Sequence, residues 1–217
     1  MTTTDEAVAA KPAPVAAPAI ANPAPLGLAA FALSTIVLST FNAGLLPGEG
    51  KAVVFGLALF FGGLAQLLAG MWEFRVGNTF GALAFTSYGA FWLAWLTFEL
   101  VGKGELLAAA EAAGHSPAEA QTLMYQSVGV FLFAWALFTA YMTVAALRVS
   151  NVVLTVFVLL TTTFLLLAIG DFTETTAIVN AGGVVGILTA LAAFYGSAAG
   201  VINSTFGRTV LPVGPRD

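Results

Sequence analysis

The amino-acid sequence predicts an all-α integral membrane protein, a bundle of six transmembrane helices. Three observations carry this prediction. Of the 217 residues, 59% are hydrophobic and only 8% are charged, against about 25% in a soluble domain. Six apolar stretches come close to the roughly 20 residues that a helix needs to cross the hydrocarbon layer. They are built of Leu, Ala, Val and Phe without period-2 alternation, which favours helices over barrel strands.

The chain divides into a tail, residues 1–21, a transmembrane domain, residues 22–212, and a short end, residues 213–217. The tail is rich in Ala, Pro and Thr and carries Asp5 and Glu6 where a signal peptide would be basic. It reads as a disordered cytoplasmic tether. The spans run approximately Leu26–Leu46, Ala52–Trp72, Thr79–Val101, Ser127–Leu147, Val152–Ile169 and Ala177–Ile202. Connections are short except for Gly102–Gln126, which holds the sole histidine, His115. In that loop Ser116, Pro117 and Glu119 have the pattern of a capped helix start, so a short surface helix is expected there.

Basic residues set the orientation. With both termini in the cytoplasm, Lys11, Arg75, Arg148, Arg208 and Arg216 are inside, and Lys51 and Lys103 outside. The protein is thus a multi-pass cell-membrane protein in contact with lipid. It has no cysteine, and its net charge of −4 suggests no nucleic-acid partner. One histidine makes no metal site, and no cofactor motif is present. No Asp, Glu, Lys, Arg or His falls in the middle of a span, so a nucleophile with its base is missing and an enzyme is not expected.

Three polar motifs gather at the cytoplasmic face. In "ANPAPLGL", Asn22 is a candidate cap of the first helix, and Pro23 and Pro25 suit a first turn. The free amides of such a helix start favour an anion. Asn22-Pro23-Ala24 also resembles the aquaporin signature, which however comes in two facing copies, and this chain has one. In "WEFRVGNTFG", Asn78 or Thr79 caps the third helix, while Glu73 and Arg75 read as solvated. In "FYGSAAGVINSTFGRTVLP", Asn203 sits at the inner end of the sixth span. Together Asn22, Pro23, Asn78, Thr79 and Asn203 suggest an inner vestibule that attracts small anions.

Hydroxyls in the third span mark a path. At 100° per residue, Thr79, Thr86 and Thr97 share one stripe, and Tyr88 lies nearly opposite with Gly81, Ala84 and Trp95. A threonine hydroxyl can return to the carbonyl of the preceding turn, whereas a tyrosine hydroxyl reaches further. Tyr88 is therefore the expected pore-side residue, offering its hydroxyl where hydration is lost. Thr86, Gln66 and Thr161 are further polar path candidates. Gly62-Gly63, Gly182/Gly186 and Gly196/Gly200 permit close helix contact, within one subunit or between subunits.

The runs "NPAPLGL", "GNTFGALAFTSYGAFW" and "FGRTVLP" together resemble the acetate uptake transporter family, over about Ala21–Pro212. The resemblance implies six transmembrane helices per subunit, a homo-oligomer that is a hexamer, and transport of acetate and related short carboxylates such as succinate with a proton. It also implies a path in each subunit, narrowed at Phe31, Tyr88 and Leu160. Two features depart from the family pattern: Phe194-Tyr195 followed by Ser197, and Asp171 where a neutral residue is common. A channel for ammonia or water, or a non-transporting membrane scaffold, is the alternative.

Overall fold

The computed structural model describes residues 20–216. The greater part of the Ala/Pro-rich tail, Lys11 included, and residue 217 lie outside the described residues. Six long helices follow one another. Helix α1 is Ala24–Asn42 and α2 is Gly48–Val76. Helix α3 is Thr79–Thr97, prolonged through Phe98–Gly102 into Lys103–Ala112. Helices α4, α5 and α6 are Pro117–Ala146, Asn151–Phe172 and Thr176–Phe206. No β-strand occurs among the described residues.

Five of these helices, all but α3, are long and apolar enough to cross a membrane. The stretch Thr79–Thr97 is the exception because its hydroxyls and its two tryptophans, Trp92 and Trp95, dilute Leu, Ala and Phe. The membrane assignment thus holds for five helices by length and composition, one fewer than the sequence predicts.

Local chemistry explains the helix ends. Asn78 caps α3 by accepting from Gly81 N–H at 3.1 Å. Ser116 and Glu119 form the expected reciprocal capping box, with Pro117 at the first helical position. Helix α2 stops at Gly77, whose φ of 81° suits a residue without Cβ.

Two expectations need correction. The segment Gly102–Gln126 is not a loop with its own small helix. Its first half, "KGELLAAAEA", is rich in strong helix formers and prolongs α3 to Ala112, and its second half is the first turns of α4. His115 stands exposed in the turn between them. The first span ends at Asn42 rather than Leu46, since Gly44 takes a φ of 70° two residues later.

The helices close into a ring. Helix α1 packs on α6, α6 on α5, α5 on α4, and α2 on both α1 and α3. The stretch Thr79–Thr97 approaches the backbone of α4 least, and aromatic side chains bridge that gap. Trp135 of α4 lies 5.8 Å from Tyr88 and 5.2 Å from Phe91, between ring centroids.

Glycines set the close approaches inside the ring. A Cβ on Gly182 would meet Leu167 of α5, and one on Gly186 would meet Ser39 of α1. One on Gly200 would meet Pro25, and Gly62 faces Ser34 and Trp92. These small residues are therefore used within one subunit. Gly183 is the tightest case, since a Cβ there would overlap the backbone of Asn42 and Ala43. Gly183→Ala must push α6 away from α1, at a cost of about 1–3 kcal/mol. Its thermal unfolding temperature in detergent falls below that of the unmodified protein, whereas Gly48→Ala, with open space around it, leaves it unchanged.

Candidate functional site

Among the described residues, two cavities lie within the ring and bear on function. A large one, about 760 Å³, lies between Thr35, Ser39, Phe91, Trp95, Phe164 and neighbouring side chains. A small one, about 100 Å³, lies towards the other end, lined by Ala24, Leu28, Asn78, Phe157 and others. Leu160 lines both, so its side chain, 3% exposed, is shared wall between them. Phe31 and Tyr88 line the small cavity. Their ring centroids are 5.9 Å apart, and Tyr88 lies 6.1 Å from Phe157. Phe31, Tyr88 and Leu160, distant in sequence, thus meet around the partition.

The third helix presents one face to these cavities. Gly81, Ala84 and Tyr88 line the small one, and Trp95 lines the large one. The hydroxyl of Tyr88, however, is not turned into open space. It lies 2.9 Å from Thr139 Oγ1. Thr139 donates its own proton to the carbonyl of Trp135 at 2.7 Å, so Tyr88 is the donor. The small cavity therefore meets the tyrosine ring, with its O–H already committed to α4.

The other singled-out residues separate into distinct roles. Asn22 is exposed and accepts from Ala24 N–H at 2.9 Å. With that amide spent and Pro25 lacking one, little of the expected anion attraction remains at this helix start. Pro23 is buried at the N-cap position. Asn78 does line the small cavity, but its amide is occupied by Gly81 N–H and by Glu73 Oε2 at 2.8 Å. Thr79 is exposed and lines neither cavity.

Asn203 does not join a vestibule. Its Oδ1 accepts from the N–H groups of Val210 and Leu211, and its Nδ2 donates to the Leu211 carbonyl. It anchors the C-terminal segment, which Tyr195 also holds by donating to the Pro212 carbonyl at 2.8 Å. The same segment ends against α5, where Arg216 donates to Asn151. Ser197 donates to the Pro25 carbonyl at 2.7 Å, tying α6 to α1. The unusual Tyr195 and Ser197 thus serve the scaffold.

Thr161 lies on the α4–α5 contact, donating to the Phe157 carbonyl with Thr143 beside it. Thr86 packs against Gly70 of α2, and its buried hydroxyl has no hydrogen-bond partner among the described residues. Gln66 alone of the three polar candidates lines a cavity, the small one. It is fully buried, and neither end of its amide is partnered among the described residues.

Sequence reasoning missed Glu73. It reads as solvated beside Arg75, yet it is 1% exposed. The helical period holds the missed signal: Gln66, Ala69, Gly70 and Glu73 form the buried face of this part of α2. At the mouth of the large cavity Lys51 pairs with Glu99 at 3.3 Å and sits 5.4 Å over the ring of Trp95. Asp171, Glu174 and Lys103 share this rim. Among the described residues, no group of three His, Cys, Asp or Glu side chains is placed to hold a metal ion.

Comparison with known proteins agrees with this architecture. The model of the GPR1/FUN34/yaaH family matches residues 5–215. The succinate-acetate/proton symporter SatP of Escherichia coli K12 is 40% identical over 195 residues, 90% of this chain and 96% of that protein. Acetate permease A of Emericella nidulans is 42% identical over 199 residues, 89% of this chain and 65% of that protein. The solved structure of the bacterial acetate channel SatP superposes with a TM-score of 0.76 at 38% identity, covering 90% of this chain and all of that one. The chain belongs to the GPR1/FUN34/yaaH family.

Proposed function

We propose that the protein carries acetate and related short carboxylates, succinate among them, across a cell membrane, each with a proton or as the protonated acid. The observation that carries this reading is the partition at Leu160, with a cavity on either side and Phe31 and Tyr88 beside it. The names of the similar symporter, permease and channel point the same way. On this reading all six helices cross the membrane, both termini are cytoplasmic, and the large cavity opens outside. The assembly is a homohexamer, whose contacts draw on the exposed Leu, Val and Phe of the ring's outer surface.

The wall chemistry supports proton coupling. Among the described residues, no Asp, Glu, Lys, Arg or His lines the small cavity. A bare carboxylate entering such a space loses its hydration without gaining a counter-charge. A carboxylic acid with a pKa near that of a glutamate side chain, about 4.3, is almost all anion at pH 7. Protonation before the partition removes the largest part of the barrier. The charged rim, with Lys51 and Lys103 among its acids, is where the anion is gathered.

Labelled acetate uptake into proteoliposomes tests the reading. Uptake rises as the external pH falls towards 5 and collapses when the proton gradient is dissipated. Uptake that instead follows voltage at fixed pH, with a net negative current, identifies an anion channel.

Leu160→Ala opens the shared wall and raises the ratio of succinate to acetate uptake by about tenfold. The ratio is the proper readout, because truncating a buried leucine also destabilises the fold by about 2–5 kcal/mol. An unchanged ratio removes Leu160 from the constriction. Native mass measurement in lipid nanodiscs checks the assembly, with six copies expected and a monomer as the opposing result.

A further inference from the structure

Among the described residues, Gln66 is the one polar residue of the small cavity whose side chain is both enclosed and idle. Its exposure is 0%, and Nε2 and Oε1 are both without hydrogen-bond partners among the described residues. The cavity's other polar side chains are committed, Asn78 to Glu73 and Gly81, and Tyr88 to Thr139. An amide buried without partners is costly, and here it lies where solute would pass. The backbone is also unusual at this point. Leu57–Ala65 is π-helical, and the N–H of Gln66 reaches back to the Phe61 carbonyl. Such turns shift the side-chain register and recur at functional positions.

We propose that Gln66 recognises the transported acid in its protonated form, through a pair of hydrogen bonds between its primary amide and the carboxyl group. Nε2–H donates to the carbonyl oxygen of the acid, and the O–H of the acid donates to Oε1. A carboxylate lacks that O–H and turns two acceptor oxygens towards the amide, so one of them faces Oε1 in repulsion. The proton stays on the substrate throughout, and no group of the protein takes it.

The surroundings fit a neutral ligand. The residues that line the cavity from α1 and α5, such as Phe31, Val156 and Phe157, carry no charge. From α3, Tyr88 is the cavity's sole titratable side chain among the described residues, and its hydroxyl donates to Thr139. Glu73, seven residues further along α2, is held by Asn78. This inference rests on the transport reading and adds the form of the substrate that the partition admits.

Competition on the reconstituted full chain tests it. Acetamide is neutral from pH 5 to 8 and offers both an N–H donor and a carbonyl acceptor. Methyl acetate offers the carbonyl alone. Acetamide inhibits labelled acetate uptake, and methyl acetate does so about tenfold less effectively. Gln66→Leu and Gln66→Met lower uptake at sub-saturating acetate by about tenfold or more and abolish the difference between the two inhibitors. Both variants unfold at a higher temperature than the unmodified protein, because an apolar side chain leaves no polar group unpaired.

Equal inhibition by acetamide and methyl acetate overturns the proposal on the unmodified protein alone, whether or not the variants fold. Unchanged uptake by folded Gln66→Leu overturns it as well. A lowered unfolding temperature in both variants with inhibitor discrimination retained assigns Gln66 to the scaffold and overturns it too. Acetate uptake by the unmodified chain, seen in the same experiment, keeps such results apart from failure of the transport reading itself.

Discussion

The hydrogen bond from Tyr88 to Thr139 is the interaction on which the site depends. The stretch Thr79–Thr97 and α4 make few close backbone approaches, and this contact joins them at 2.9 Å. It is cooperative, since the Thr139 O–H in turn donates a hydrogen bond to the Trp135 carbonyl one turn back. In an apolar medium an unpaired phenol hydroxyl is costly, so the bond fixes the plane of the Tyr88 ring. That ring in turn packs on Phe31 and Phe157, and the partition inherits its geometry from them.

Around that bond the scaffold works by close approach rather than by polar attachment. Lipid gives helices no hydrophobic reason to associate, so small residues that let backbones meet are decisive. Gly183 against Asn42 and Ala43, and Gly200 against Pro25, press α6 onto α1. Ser197, donating to the Pro25 carbonyl, satisfies a group near the helix start. The C-terminal segment then ties α6 to α5 through Asn203, Tyr195 and Arg216. The small cavity is thus walled by helices whose spacing is set elsewhere.

The α2–α3 interface differs from the rest in its polar content. Gln66, Glu73, Thr86 and Trp92 each leave a buried polar atom without a partner among the described residues. Four such groups between two apolar helices oppose stability. They accompany a π-helical stretch, Leu57–Ala65. Of the four, Gln66 lines the small cavity and Trp92 the large one, whereas Glu73 and Thr86 line neither.

Local rules made much of this legible in the sequence. Composition and span length determined a helical membrane protein, because a bilayer leaves the backbone no other way to satisfy itself within a short segment. Ser116–Glu119 and Asn78 announced their caps by residue type and spacing, and a helical wheel placed Tyr88 opposite the threonine stripe. The family resemblance, rather than any local rule, singled out Phe31, Tyr88 and Leu160. Tertiary structure alone decided what each polar group touches. A wheel shows that Tyr88 and Thr86 face different ways, but not that Tyr88 meets a threonine 51 residues on, nor that Thr86 meets a glycine. Asn203 looked like a vestibule ligand and became an anchor, because a side-chain amide bonds whichever backbone the chain brings back to it. Glu73 looked solvated and became buried, because its neighbours lie on another helix. Residue types and periods are properties of one segment, whereas a hydrogen-bond partner or a shared cavity wall exists only once separate segments have met.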